Sequence, residues 1–169
     1  MRRFALLLAL LLAAAVSLRA QSAEADSLRA AYMAAERALN APGTPAADFA
    51  MCLPDGSDTR LGEFRGAPLL LVLFDADCPD CRHALEALPE LVPQGMRVLA
   101  VYAEGDPSLW AAAEAEVPDG FIVAFDIDGV YTSGLYSPEF SPGIYVLDAE
   151  GIVQERGSEI LNINLLHKY

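Results

Sequence analysis

Cys78 and Cys81 are the residues of this chain best suited by type and spacing to do chemistry. A disulfide between them would close a very small loop and remove little entropy from the unfolded chain, so it would be a poor structural staple. Two thiols this close are better read as a redox pair. One thiolate attacks a partner disulfide to give a mixed disulfide, and the second thiol then displaces the partner. The flanking sequence is Phe74-Asp75-Ala76-Asp77-Cys78-Pro79-Asp80-Cys81-Arg82-His83. An apolar run ends at Phe74, and a helix is predicted to begin at the cysteines. Pro79 then falls at the first helical position, where its missing N–H does no harm. Cys78 falls at the cap, where free backbone N–H groups and partial positive charge favour a thiolate. Cys78 is therefore the expected exposed nucleophile, and Cys81, one turn inside, the covered resolving thiol. Arg82, and His83 when protonated, would help the thiolate; Asp75, Asp77 and Asp80 oppose it by like-charge repulsion.

The elements that must position this pair are legible as apolar patterns. Pro68 to Phe74 (PLLLVLF) is continuously apolar and predicts a central strand buried on both faces. Pro79 to Val92 predicts the helix, Arg97 to Tyr102 a second buried strand, and Asp106 to about Pro118 a further helix with Trp110 as a packing residue. Phe121 to Phe125 predicts another strand. Ahead of these, Phe49 to Leu53 and Thr59 to Gly62 flank the turn residues Pro54-Asp55-Gly56-Ser57-Asp58 as a hairpin. Behind them, Ile144 to Leu147 and Ile152 to Glu155 flank a second turn, and Ile160 to Leu166 suggests a closing helix. Alternating strand and helix in the middle allow parallel strands with right-handed crossovers, while the hairpins must be antiparallel. The fold class expected is α/β, a central mixed sheet flanked by helices with an N-terminal β-hairpin.

The remaining chain divides before residue 48. Met1, Arg2 and Arg3 precede an almost unbroken apolar stretch, Phe4 to Leu18, and Ala20 offers a small residue for cleavage. This is the layout of a secretory signal peptide, residues 1–20, and the stretch is short of the roughly 20 residues a membrane span needs. The expected location is therefore the periplasm or cell envelope, with no stable span in the mature chain. Residues 21–47 read as a helix, Asp26 to Asn40, followed by a Pro/Gly linker, with the globular domain at 48–169. The formal charge is −13, and Lys168 is the only lysine. Such a surface repels phosphate backbones, so nucleic-acid binding is not expected. An exported chain meets an oxidising compartment, and three cysteines leave one over. That one, Cys52, reads as a small buried hydrophobe.

Ser141-Pro142-Gly143 lies just before the strand at Ile144. A proline there can be cis or an ordinary loop proline. With these residues in place, the span Asp48 to Arg156 resembles the TlpA/ResA-like branch of the thioredoxin-fold proteins. Ala47-Asp48-Phe49 is similar to that family's opening "PDF" element, and Leu61-Gly62-Glu63-Phe64-Arg65-Gly66 to its "LSDFKGK" element. Cys78-Pro79-Asp80-Cys81 matches its CxxC, and Pro142 with Tyr145-Val146-Leu147-Asp148 and Gly151 its "PT-x-x-LID-x-x-G" element. The resemblance implies a thioredoxin-like fold and a cis Pro142 packed beside the cysteines, where partner backbone docks. It implies an exported enzyme acting on protein disulfides. The expected partners are protein thiols and disulfides and an upstream electron donor, and no cofactor and no metal are expected. The supporting positions are Phe74, Asp75, Asp77, Pro79, Asp80 and Ser141. There are departures. Asp77 stands where the family has Trp, and Phe74 keeps the aromatic position at the strand end. Ala84 and Val72 stand where relatives place a proton-relay carboxylate, for which Glu86 or Asp75 could substitute. Gly143 follows Pro142 in place of Thr.

Other readings stay open. A zinc site needs a second ligand pair, and only Cys52, His83 and His167 could complete one. A thiol peroxidase wants a hydroxyl three residues before the nucleophile, where this chain has Asp75. A non-catalytic binding module or metallochaperone on the same fold is the third; copper carriers that resemble it use a wider cysteine pair. Asp126, Asp128 and Gly129 lack the remaining spacing of a calcium loop and read as a solvated turn. Glu114, Glu116 and Asp119 read as a solvated face. The acidic surroundings of Cys78 predict a reductant. Equilibration with a glutathione redox buffer should give a potential well below the roughly −120 mV of strongly oxidising periplasmic enzymes, and a value near that figure would overturn the prediction.

Overall fold

The computed structural model describes residue 19 and residues 24–31, 34–35, 38–104, 106–137 and 141–157. The chain divides into two compact units, 1–36 and 37–169. In the first, residues 24–31 are helical. The leader residues 1–18 and 20, and the closing helix expected at Ile160 to Leu166, lie outside the described residues. Among the described residues no helix is long and apolar enough to cross a membrane.

The second unit is built on β3 (Leu69–Phe74), the strand read from the continuous apolar run, and all six of its residues are buried. Its side chains alternate between the two faces of the sheet. Leu69, Leu71 and Leu73 join one core with Phe49, Met51, Val101, Val130 and Tyr136. Leu70, Val72 and Phe74 join the other with Cys81, Leu85 and Leu88 of helix α1 (Pro79–Leu91) and Ala113 of α2 (Trp110–Glu116). Each such leucine contributes on the order of 2 kcal/mol by leaving water. A strand that must bury both faces cannot be polar anywhere, which is why the run is unbroken.

Around β3 the sheet adds β1 (Ala50–Cys52), β2 (Asp58–Arg60), β4 (Arg97–Tyr102), β5 (Ile122–Asp126), β6 (Gly143–Leu147) and β7 (Val153–Gly157), in the order β2-β1-β5-β4-β3-β6-β7. β3, β4 and β5 are parallel, and β6 is antiparallel to β3. This is the thioredoxin-like α/β sheet expected from the sequence, with its N-terminal hairpin. Two registers matter for the site. Phe74 lies opposite Tyr102, and Leu73 lies opposite Gly143. The first aligns the ends of β3 and β4. The second brings the residues just before β6 to the end of β3.

Several boundaries differ from the sequence reading, each for a local reason. The second arm of the first hairpin ends at Arg60, and Leu61–Phe64 forms a 3₁₀ turn. The Asp48 carboxylate draws the chain round there by accepting from Gly62 N–H and Arg60 Nε. β7 starts at Val153 because the Ile152 N–H is taken by Asp148 Oδ1, with a bulge between Val146 and Leu147 in the facing strand. Residues 41–47 are tied to the sheet: Gly43 N–H donates to Val153 O, Val153 N–H to Thr44 O, and Ala46 N–H to Gly151 O. Cys52 is half-buried, because alternation along β1 gives the interior to Met51. The Asp126 turn is not solvated. Its carboxylate is buried and accepts from the N–H groups of Asp128, Gly129 and Val130. Burial pushes its pKa up, and those three bonds only partly oppose the shift. Glu116 is half-buried and reaches Arg82.

Candidate functional site

β3 ends at Phe74, and α1 starts five residues later at Pro79, with Cys78 as its N-cap. A helix start leaves backbone N–H groups without partners. Here the Cys78 sulfur accepts the Cys81 N–H at 3.1 Å, while Cys78 O accepts the N–H groups of Cys81 and Arg82. The sulfur thus takes the place that a serine or aspartate oxygen commonly fills. It also sits at the positive end of the helix, which stabilises negative charge there. Cys78 is half-buried and Cys81 fully buried. Both are free thiols, as is Cys52.

The two thiols are not equivalent. The Cys81 thiol is pushed up to about 12, first by burial and next by its hydrogen bond to the Cys78 sulfur. The Ser141 hydroxyl and the Asp75 backbone N–H pull the other way without offsetting burial. Ser141 Oγ lies 3.4 Å from Cys81 Sγ and 3.7 Å from Cys78 Sγ, donating to the latter. The Ser141–Pro142 peptide bond is cis, and Pro142 is buried. The β3–β6 register explains this proximity, since Gly143 faces Leu73 and its predecessors overhang the end of β3.

The other residues singled out from the sequence fall around this centre. Phe74 is buried and packs at 6.0 Å against Tyr102. The Asp75 carbonyl accepts the Cys78 N–H, and its carboxylate accepts the Asp77 N–H at 2.9 Å. Asp77, Pro79 and Asp80 are exposed. Glu86, the other candidate for a relay, is exposed and lies 3.7 Å from His83. Among the described residues no group of three or more His, Cys, Asp or Glu side chains is placed to hold a metal.

Three residues escaped the sequence reading. Glu104 accepts from Tyr102 Oη at 3.0 Å. Sharing a proton with the neighbouring Asp75 carboxylate is the largest reason that its carboxyl is held above the usual range. The Tyr102 phenol is pushed up mainly by burial, with Glu104 and Asp75 adding to it. Tyr131 is raised by burial first, and the negative charge of Tyr145, Cys81, Asp75 and Cys78 adds to the shift. Tyr102 and Glu104 could have been found, because they follow a parallel strand beside β3, and carboxyl ends of such strands gather site residues. No pattern in the sequence marks Tyr131.

Fold and site together define a thioredoxin-like protein with a close cysteine pair at a helix start. A profile of the AhpC/TSA family matches residues 42–156, and the chain belongs to that family. The resemblance drawn from the sequence is thereby borne out at the level of the thioredoxin-fold oxidoreductase-like proteins. A search of curated proteins gives no match. Among solved structures, a conserved protein of unknown function from Bacteroides fragilis is 29% identical, the match covering 73% of this chain and 96% of that one, with a TM-score of 0.65. A thioredoxin-like protein from Bacteroides caccae is 22% identical, over 86% of this chain and 56% of that one, with a TM-score of 0.78. The thioredoxin domain of a thiol-disulfide oxidoreductase from Bacteroides vulgatus is 20% identical, over 76% and 96%, with a TM-score of 0.65. The last two are likenesses of fold.

The contrast between the thiols makes a prediction. When the reduced protein is treated with iodoacetamide at pH 8, peptide mass spectrometry should find Cys78 alkylated well before Cys81. Labelling of Cys81 should rise only as the pH approaches about 12, where its thiol ionises. Equal labelling at pH 8 would contradict the geometry.

Proposed function

We propose that this chain is an exported thiol–disulfide oxidoreductase that reduces or exchanges protein disulfides through Cys78 and Cys81. The observation that carries the reading is the pairing at the start of α1, where a half-buried sulfur caps the helix and a buried thiol stands one turn behind it. Export rests on the leader pattern of residues 1–20.

The steps follow from the geometry. The Cys78 thiolate, held by the Cys81 N–H, attacks one sulfur of a partner disulfide. The partner's S–S bond breaks, a Cys78–partner bond forms, and the partner's other sulfur leaves and takes a proton. Cys81 then gives up its proton and attacks Cys78 Sγ. A Cys78–Cys81 disulfide forms and the partner departs as a dithiol, two electrons having passed to it. Cys81 must shed its proton only in the second step, and its burial keeps it a thiol until then. Ser141 Oγ is within reach of both sulfurs and is suited to pass that proton toward the leaving thiolate. Pro142, buried beside it, shapes the ledge on which partner backbone lies. An upstream dithiol donor restores the reduced pair.

Two experiments test the reading. Cys81→Ala should lose insulin reduction by at least about a hundredfold and accumulate mixed disulfides through Cys78 when expressed in its own compartment. Absence of such adducts, together with unimpaired insulin reduction, would refute it. Ser141→Ala should slow release of the mixed disulfide by up to about tenfold, the worth of one hydrogen bond, and leave the attack step alone. Ser141→Thr should restore the rate, and stopped-flow kinetics on a fluorescent mixed disulfide separates the two steps.

A further inference from the structure

At the carboxyl ends of β4 and β5, the same end of the sheet at which β3 leads to the cysteines, lies a cleft of about 410 Å³ lined by Glu104, Pro107, Trp110, Asp126, Ile127 and Thr132. Its floor is apolar. Trp110 stacks on Phe125 at 4.5 Å, and Ile127 is 47% exposed, one of three large exposed hydrophobic residues among those described. An apolar side chain held open to water at the edge of a cleft is a surface suited to another molecule.

The rim of the cleft carries one sign of charge. β3 and β4 end side by side, with Phe74 opposite Tyr102 and the Ala103 N–H bonded to Phe74 O, so Glu104 leaves the sheet at the same edge as Asp75 and Cys78. The charged neighbours that disturb Glu104 are the carboxylates of Asp75 and Asp77, and Asp106 acts on Tyr102 beside it. Arg82, the basic residue nearest the pair in sequence, is turned away to Glu116 at 3.4 Å. Carboxylates crowded together at a surface are relieved by an incoming cation.

We propose that this cleft docks an extended segment of the partner protein that carries a basic side chain beside an apolar one, close in sequence to the cysteine being reduced. The apolar side chain lies over Trp110 and Ile127, and the basic one is held by Glu104 and Asp75. Neither Ser141 nor Pro142 lines this surface. The inference rests on the exchange reaction proposed above.

The test uses the full chain, reduced in advance, in single turnover. Its substrates are two peptide disulfides, with Leu-Lys or Leu-Glu flanking the same cysteine, and 2-hydroxyethyl disulfide, which has no flank. The Leu-Lys peptide should react on the order of tenfold faster than the Leu-Glu peptide, and the ratio should shrink at high salt. Glu104→Gln should bring the ratio to within about twofold. Ile127→Ser should slow both peptides and leave the rate on 2-hydroxyethyl disulfide unchanged. Equal rates for the two peptides, or a ratio that survives Glu104→Gln, would overturn the inference while leaving the exchange reaction standing. Failure to reduce even 2-hydroxyethyl disulfide would remove the exchange reaction, and this inference with it.

Discussion

A helix cannot begin without finding acceptors for its first N–H groups, and in this protein one of those acceptors is a sulfur. The bond from Cys81 N–H to Cys78 Sγ closes the first turn of α1 and holds the Cys78 sulfur at the helix start. Capping and reactivity are therefore one arrangement. Pro79 makes the start compatible with the first helical turn, and the buried residues Cys81, Leu85 and Leu88 press that turn against the sheet. A buried thiol in apolar surroundings stays protonated, while a sulfur at a helix start meets positive charge. The two cysteines differ because three residues of chain separate a cap from an interior.

The sheet supplies what the helix cannot. Parallel pairing of β3 with β4 sets Glu104 beside Asp75, and antiparallel pairing of β3 with β6 sets Ser141 beside both sulfurs. Neither residue is near the cysteines in sequence. Their positions follow from strand register, and register follows from the demand that β3 bury both of its faces. A slip of one residue would put the Leu69, Leu71 and Leu73 row where the Leu70, Val72 and Phe74 row belongs. The apolar run that looks uninformative about chemistry is thus what aims the chemistry.

That run also explains how much could be read in advance. β4 runs from Arg97 to Tyr102 as the apolar pattern indicates, and β3 begins one residue after Pro68, because continuous hydrophobicity has no competing interpretation at that length. The helix start was legible from Pro79. The nature of the Asp126 turn was not. A carboxylate that accepts three backbone N–H groups has the same spacing in sequence as one facing water, and only the tertiary fold buries it. Cys52 misled in the opposite direction, since a residue type that favours the interior was placed by strand alternation on the half-open side. Tyr131 feels the charge of the cysteine pair from a loop whose path no periodicity encodes.

The stacking of Trp110 on Phe125 has a practical consequence. The chain holds a single tryptophan, and that tryptophan lines the cleft at the ends of β4 and β5. All indole emission from the protein therefore originates at this one place, against an aromatic ring 4.5 Å away. The molecule contains its own optical reporter, and changes in the local environment of the cleft can be followed by fluorescence without attaching a dye.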